Sequence, residues 1–133
     1  MKDGTVIQGV SSAAAYINSS NQLAADENLP ALPLGKSAKD VEVTIHSHLT
    51  GIIFQNDQVY SHDATIPSDI DRPTFRQFDI NIIVGPLGQT TADKVNGVTS
   101  ANQPPLGIAI YNGGIATPML ILTKKAVQKL LKQ

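Results

Sequence analysis

Apolar and polar positions alternate most clearly from Val41 to Ile45, where Val41, Val43 and Ile45 are separated by Glu42 and Thr44. A β-branched, alternating run of this kind predicts a strand. It runs into His46-Ser47-His48. Farther on, Ile80 to Val84 is apolar except for Asn81, which predicts a central strand buried on both faces, ended by Gly85-Pro86-Leu87-Gly88. Leu106 to Tyr111 and Ile115 to Leu122 predict two more strands around an Asn112-Gly113-Gly114 turn, with Pro118 near the start or edge of the second. Thr123 is placed to cap a helix over Lys124 to Lys132. In that helix Ala126, Val127, Leu130 and Leu131 share one stripe, and Lys124, Lys125, Lys129 and Lys132 form a solvated face.

The segments between these runs carry turn chemistry. Gly51 to Tyr60 reads as a hairpin about an Asn56-Asp57 turn, with Phe54 and Tyr60 as its packing residues. Pro67-Ser68 is a helix-start signal, with Ser68 as the cap and Asp69 and Asp71 in the first turn, where carboxylates suit the helix dipole. Pro73 is tolerated only within a first turn, so the helix begins near Ser68 or Pro73 and is short. Gln89 to Pro105 is polar and contains Asn96-Gly97, a long loop or a protruding hairpin. Before Val41 the pattern is weaker. Lys2 to Val10 reads as turn and strand, entered through Asp3-Gly4. Ser11 to Ile17 is either one or two helical turns or strand ending in loop, Asn18 to Gln22 is loop, and Leu23 to Asn28 is a short helix. The prolines make Leu29 to Gly35 extended, and Lys36 to Asp40 is a polar lead-in.

Composition narrows the partners. The 133 residues make one domain, 1–133, with enough apolar content for a single core. A net charge of −1 with no basic stripe argues against nucleic acid, and aromatics at 5% argue against stacking on single strands. The chain has no cysteine, which excludes disulfides and thiolate ligands. No apolar segment of ~20 residues predicts a membrane span. No signal peptide is visible, because Met1 to Gly4 leads into a turn. The abrupt opening in a hairpin predicts a domain cut from a longer polypeptide.

The chemistry centres on the histidines. Side chains on a strand repeat every two residues, so His46 and His48 face the same way, roughly 6–7 Å apart along the backbone. Two imidazoles so placed can converge on one metal ion, and Asp71, at the start of a helix, is the candidate third ligand. Two histidines, an aspartate and a free position for water are the composition of a catalytic zinc site.

His46-Ser47-His48 followed by Ser68-Asp69-Ile70-Asp71 resembles the H-x-H…S-x-x-D signature of the JAMM/MPN (JAB-like) metallopeptidases. Phe78 to Pro86 looks like the strand that follows the Asp-bearing helix in that family, and Leu106 to Tyr111 like its next strand. The likeness spans roughly Val41 to Tyr111, and its specificity lies in the order of the motifs rather than in either alone. It implies an α/β fold with a mixed, mostly antiparallel sheet flanked by helices, as in the JAB/MPN cytidine-deaminase-like fold. It implies Zn²⁺ held by His46, His48 and Asp71, with Ser68 holding the attacking water or stabilising the oxyanion.

Two features depart from the family pattern. The piece between the second histidine and the serine, Leu49 to Pro67, is longer than usual; it covers the metal or shapes a substrate groove. The family takes its general base from a glutamate on an earlier strand, and the glutamates here are Glu27 and Glu42. Glu42 is about 13 Å from His46 along an extended strand, too far to share its water. Glu27 lies in a polar loop; the base is then Glu27, a residue upstream of Met1, or absent. His62-Asp63 reads as loop surface, with a fourth ligand or a lid contact as the sharper alternative.

The function this implies is hydrolysis of a peptide or isopeptide bond in a protein or peptide substrate by a metal-activated water. JAB-like domains also occur as toxin-type modules at the ends of large exported bacterial proteins, a context that suits the opening of this chain. The alternatives are a JAB-like protein-binding module or inactive fragment lacking the base, and a metal-dependent hydrolase of non-peptide substrates.

Overall fold

The structure is a computed structural model and describes residues 1–10, 14–19, 23–25, 29–48, 50–55, 58–69, 71–95 and 98–132. Its centre is a four-stranded mixed sheet built from β3 (Thr44–Ser47), β6 (Ile80–Pro86), β9 (Leu106–Asn112) and β10 (Leu120–Thr123), in the order β10-β9-β6-β3. β3 runs parallel to β6, and the β6–β9 and β9–β10 pairs are antiparallel. Three two-stranded ribbons complete the strands: β1 (Tyr16–Ile17) with β2 (Leu23–Ala24), β4 (Ile52–Gln55) with β5 (Gln58–Ser61), and β7 (Thr91–Val95) with β8 (Val98–Asn102). Two short α-helices are present among the described residues, α1 (Asp71–Phe75) and α2 (Lys124–Leu130). This is the expected class, α/β with a mixed and mostly antiparallel sheet.

Register decides which side chains meet. Thr44 lies beside Asn81 and Asn81 beside Tyr111; His46 lies beside Ile83 and Ile83 beside Ala109. These residues share one face, and on it Ile83, Ala109, Tyr111 and Asn81 are fully buried. Phe75 of α1 and Ala64 of the preceding turn complete this core. The Phe75 ring stands 5.3 Å from Tyr111 and 5.8 Å from His46, so the core and the histidine strand are one packed unit.

Asn81 is the exception in its apolar run for a structural reason. Its amide donates to the carbonyls of Phe75 and Phe78 at 3.3 and 3.2 Å, and its side-chain oxygen accepts from the Thr44 hydroxyl. A buried amide thus adds a second donor to Phe75 O, which also accepts from Phe78 N, supplies one to Phe78 O, and ties the end of α1 to β3 and β6.

Several expectations need correction. β3 begins at Thr44, three residues later than the alternating run: Val41 still closes the 3₁₀ turn Ala38–Asp40, its N–H donating to Ala38 O, and 41–43 pair with no strand. β6 is buried on one face only: Ile80 and Val84 are 37% and 39% exposed, and Ile45 beside them on the edge strand is 62% exposed. A continuous apolar run reports a central strand without reporting how many layers cover it. Ile115 to Met119 forms bends, and only Leu120–Thr123 pairs as β10, since Pro118 has no N–H to give the ladder. Lys2 to Val10 contains a turn with Gly4 at φ 83 but no strand, and Val6 and Val10 lie exposed. Leu23–Ala24 is a strand paired with Tyr16–Ile17 rather than the start of a helix. In α2 the Thr123 hydroxyl accepts from Ala126 N at 3.3 Å as expected, yet Leu130 and Leu131 at the end of the stripe are 57% and 82% exposed.

The two predicted hairpins are present as β4–β5 and β7–β8, and their Asn56-Asp57 and Asn96-Gly97 turns lie outside the described residues. So do Ser11 to Ala13, Ile70 and Glu27. No helix among the described residues is long and apolar enough to cross a membrane.

Candidate metal centre

The strand period brings the histidines together as predicted. His46 is the third residue of β3, and His48 continues the ladder one step beyond it, its N–H donating to Val84 O at 2.8 Å. Their rings lie 5.2 Å apart, centroid to centroid. Gly85, next on β6, makes room: a Cβ there would stand 3.1 Å from His48 Cβ and 3.4 Å from Ala64 Cβ. A glycine at this point lets the second histidine and the Ala64 turn close on the sheet together.

Asp71 arrives from α1 as the first residue of the helix. It is oriented by a reciprocal pair of bonds with Ser68: Ser68 N donates to Asp71 Oδ2 at 2.7 Å, and Asp71 N donates to Ser68 Oγ at 3.1 Å. This is a capping box with aspartate in place of the usual glutamate or glutamine. The shorter acid holds its carboxylate close to the cap, and from there it reaches both rings. Oδ1 lies 3.2 Å from His46 Nε2, and Oδ2 lies 3.2 Å from His48 Nε2. Candidate ligand atoms of the three residues all fall within 4.8 Å of one another.

The protonation chemistry of this cluster favours a cation. His48 Nδ1 is 3.2 Å from the Asp63 carbonyl. A carbonyl only accepts, so Nδ1 carries the proton and the neutral ring has its lone pair on Nε2. That lone pair then faces a carboxylate oxygen, a repulsive arrangement unless a proton or a metal lies near. His46 Nε2 is buried and has no hydrogen-bond partner, because its approach to Asp71 is close but not aligned as a hydrogen bond. Burial opposes ionisation of Asp71, yet the two rings and Ser68 hold its carboxyl well below the usual carboxylate range. Each ring nitrogen stands 3.2 Å from its own Asp71 oxygen, close to the edge of a tetrahedron around an ion bonded at about 2.0–2.1 Å, and the candidate ligand atoms of all three residues lie within 4.8 Å of one another. The three residues are therefore close enough to hold a metal ion.

A cleft of about 330 Å³ opens beside the cluster. His48 and Ser68 are in its wall, together with Tyr60, His62 and Asp63 from the end of the β4–β5 insertion, Arg72 from α1 and Thr90. The insertion thus borders the site, and Tyr60 is buried while Phe54 is 49% exposed.

His62 and Asp63 are more than loop surface. The His62 ring packs edge-on against His48 with centroids 5.0 Å apart, and burial followed by the neighbouring His48 lowers its pKa. It does not join the three-residue cluster. The sequence offered a fourth-ligand or lid role for His62 only as the alternative to loop surface, because His62 belongs to no motif and reaches the site only through the fold of the hairpin. Glu42 is exposed and stands outside the cluster, and Glu27 lies outside the described residues, so no glutamate is placed at the site among the described residues. No family model, curated protein or solved structure matches this chain.

Proposed function

We propose that the chain is a zinc-dependent hydrolase of peptide or isopeptide bonds, of the JAMM/MPN (JAB-like) type. The observation that carries this reading is the gathering of His46, His48 and Asp71 ligand atoms within 4.8 Å beside a cleft, each ring nitrogen 3.2 Å from one Asp71 oxygen. Order along the chain adds to it, since the ligands fall in H-x-H…S-x-x-D sequence. His46, His48 and Asp71 would hold the ion. When bound there, zinc lowers the pKa of its water to about 7 and polarises a carbonyl. Ser68 would donate its hydroxyl hydrogen to the oxygen that becomes negative as the carbonyl is attacked, while its Oγ keeps accepting from Asp71 N. The cleft would take the chain on one side of the scissile bond, between the insertion and Arg72. The general base in this reading is Glu27, upstream or absent, and among the described residues no glutamate stands at the site.

The direct test is elemental analysis with activity. The purified protein should carry one zinc per chain, and His46→Ala should carry none; retention of zinc by that variant would contradict the ligand assignment. Glu27→Gln separates the two classes of function. Loss of peptide hydrolysis with zinc retained identifies the base. A wild-type chain that binds zinc but cleaves no peptide favours the protein-binding module.

A further inference from the structure

The turn between the insertion and α1 is pinned at an unusual number of points. Asp63 Oδ1 accepts from Thr65 N at 2.8 Å, Thr65 Oγ1 at 2.7 Å and Gly88 N at 3.0 Å. Its backbone carbonyl accepts from Ile66 N at 3.2 Å and faces His48 Nδ1 at 3.2 Å. The next residue, Ala64, is fully buried, donates to Pro86 O at 2.7 Å and accepts from the Tyr111 hydroxyl at 2.7 Å. Burial raises the Tyr111 pKa, which keeps that hydroxyl a donor. One carboxylate oxygen therefore folds the turn and fastens it to the loop after β6, and the carbonyl of the same residue meets the outer nitrogen of a candidate ligand.

We propose that Asp63 is the positioning residue for His48: its side chain shapes the turn so that its own carbonyl fixes the His48 tautomer and aims Nε2 at the metal. The inference rests on the zinc reading of the cluster and adds a group that lies outside the H-x-H…S-x-x-D pattern. The physical reason is general. A ligating imidazole must present one lone pair, and the partner of its other nitrogen decides which one and in what direction. Losing such a partner typically weakens metal binding 10–100-fold. Here the partner is a main-chain carbonyl, which no substitution removes directly. Its position depends on the three hydrogen bonds that Asp63 Oδ1 collects, so the side chain controls it at one remove.

The role predicts a particular order among variants. Asp63→Asn keeps an oxygen where Oδ1 accepts and should hold zinc within about 3-fold of wild type. Asp63→Ala loses all three bonds and should bind zinc about 10–100-fold more weakly. Zinc affinity is read by competition with a chromophoric chelator, and His48 by imidazole ¹⁵N spectra of the zinc-loaded protein. In wild type and Asp63→Asn the Nδ1 proton should be protected and visible; in Asp63→Ala it should exchange with water. Equal zinc affinity in wild type and Asp63→Ala overturns the inference, as does an Asp63→Asn loss as large as that of Asp63→Ala, which would assign the effect to charge. If Asp63→Ala fails to fold, Thr65→Val removes one of the three donors and should still weaken zinc binding, by several-fold; unchanged affinity there overturns the proposal equally. A wild-type chain that takes up no zinc refutes the metal reading itself, an outcome distinct from all of these.

Discussion

Ser68 and Asp71 show how one residue serves structure and chemistry together. Their mutual bonds start α1, and the same bonds aim the carboxylate between two rings. Replacing Ser68 with alanine removes the cap acceptor and should cost about 1 kcal/mol of stability in a denaturant melt. If the hydroxyl also supports the oxyanion, the same variant should lose about 10²–10³ in kcat with zinc still bound. Gly85 offers a second test. The Cβ of Gly85→Ala would press on His48 Cβ and Ala64 Cβ, and zinc affinity should fall several-fold with little change in the far-UV spectrum. At this scale the two histidines and Asp71 were legible, since strand period and helix start place them without reference to the rest of the molecule. Asp63 was not, because it reaches His48 through a backbone carbonyl, and any residue type has one.

Among the elements, the junction of α1 with the sheet sets the site. Three hydrogen bonds from one amide hold Phe75, Phe78 and Thr44 in place, and with them the distance from Asp71 to His46. Asn81→Leu has nearly the same volume but takes the acceptor from the Thr44 hydroxyl and the amide donor from the Phe75 and Phe78 carbonyls, of which Phe75 O keeps only Phe78 N. It should destabilise the fold by about 2–3 kcal/mol and weaken zinc binding as α1 drifts. A variant as stable as wild type in a urea titration would contradict this account of Asn81. The order of strands and helices from β3 onward was readable from periodicity and turn residues. Their ends were not: Pro86 joins β6, Met119 stays out of β10 and Val41 stays out of β3, because pairing partners rather than local propensity close a strand.

For the molecule as a whole, a metal held by the three candidate ligands would link binding to folding. The three candidate ligands come from β3 and its extension and from α1, elements 23 or more residues apart for the His48–Asp71 pair, so an ion bound there fastens the crossover between β3 and β6. Free zinc at 100 times its Kd should stabilise the chain by about 2.7 kcal/mol and raise Tm by roughly 10 °C, and a chelator should reverse the shift. The four-stranded sheet has its two faces in unlike surroundings. One carries the core and the histidines. Across the other, Ile45, Ile82, Ile110 and Leu120 form a rank through all four strands, with Ile45 and Leu120 exposed.

From the order of residues alone came the strands and helix that carry His46, His48 and Asp71 and the grouping of these three candidate ligands, because a period of two, a helix cap and a turn signal are local rules, while the class of fold was expected from the family resemblance. Tertiary structure alone decided what stands behind those candidate ligands. The Asp63 carbonyl, the His62 ring, the Gly85 gap and the Asn81 tie all depend on which strands lie side by side, and that register is set by the packing of Phe75, Ile83 and Tyr111 rather than by any short stretch of sequence.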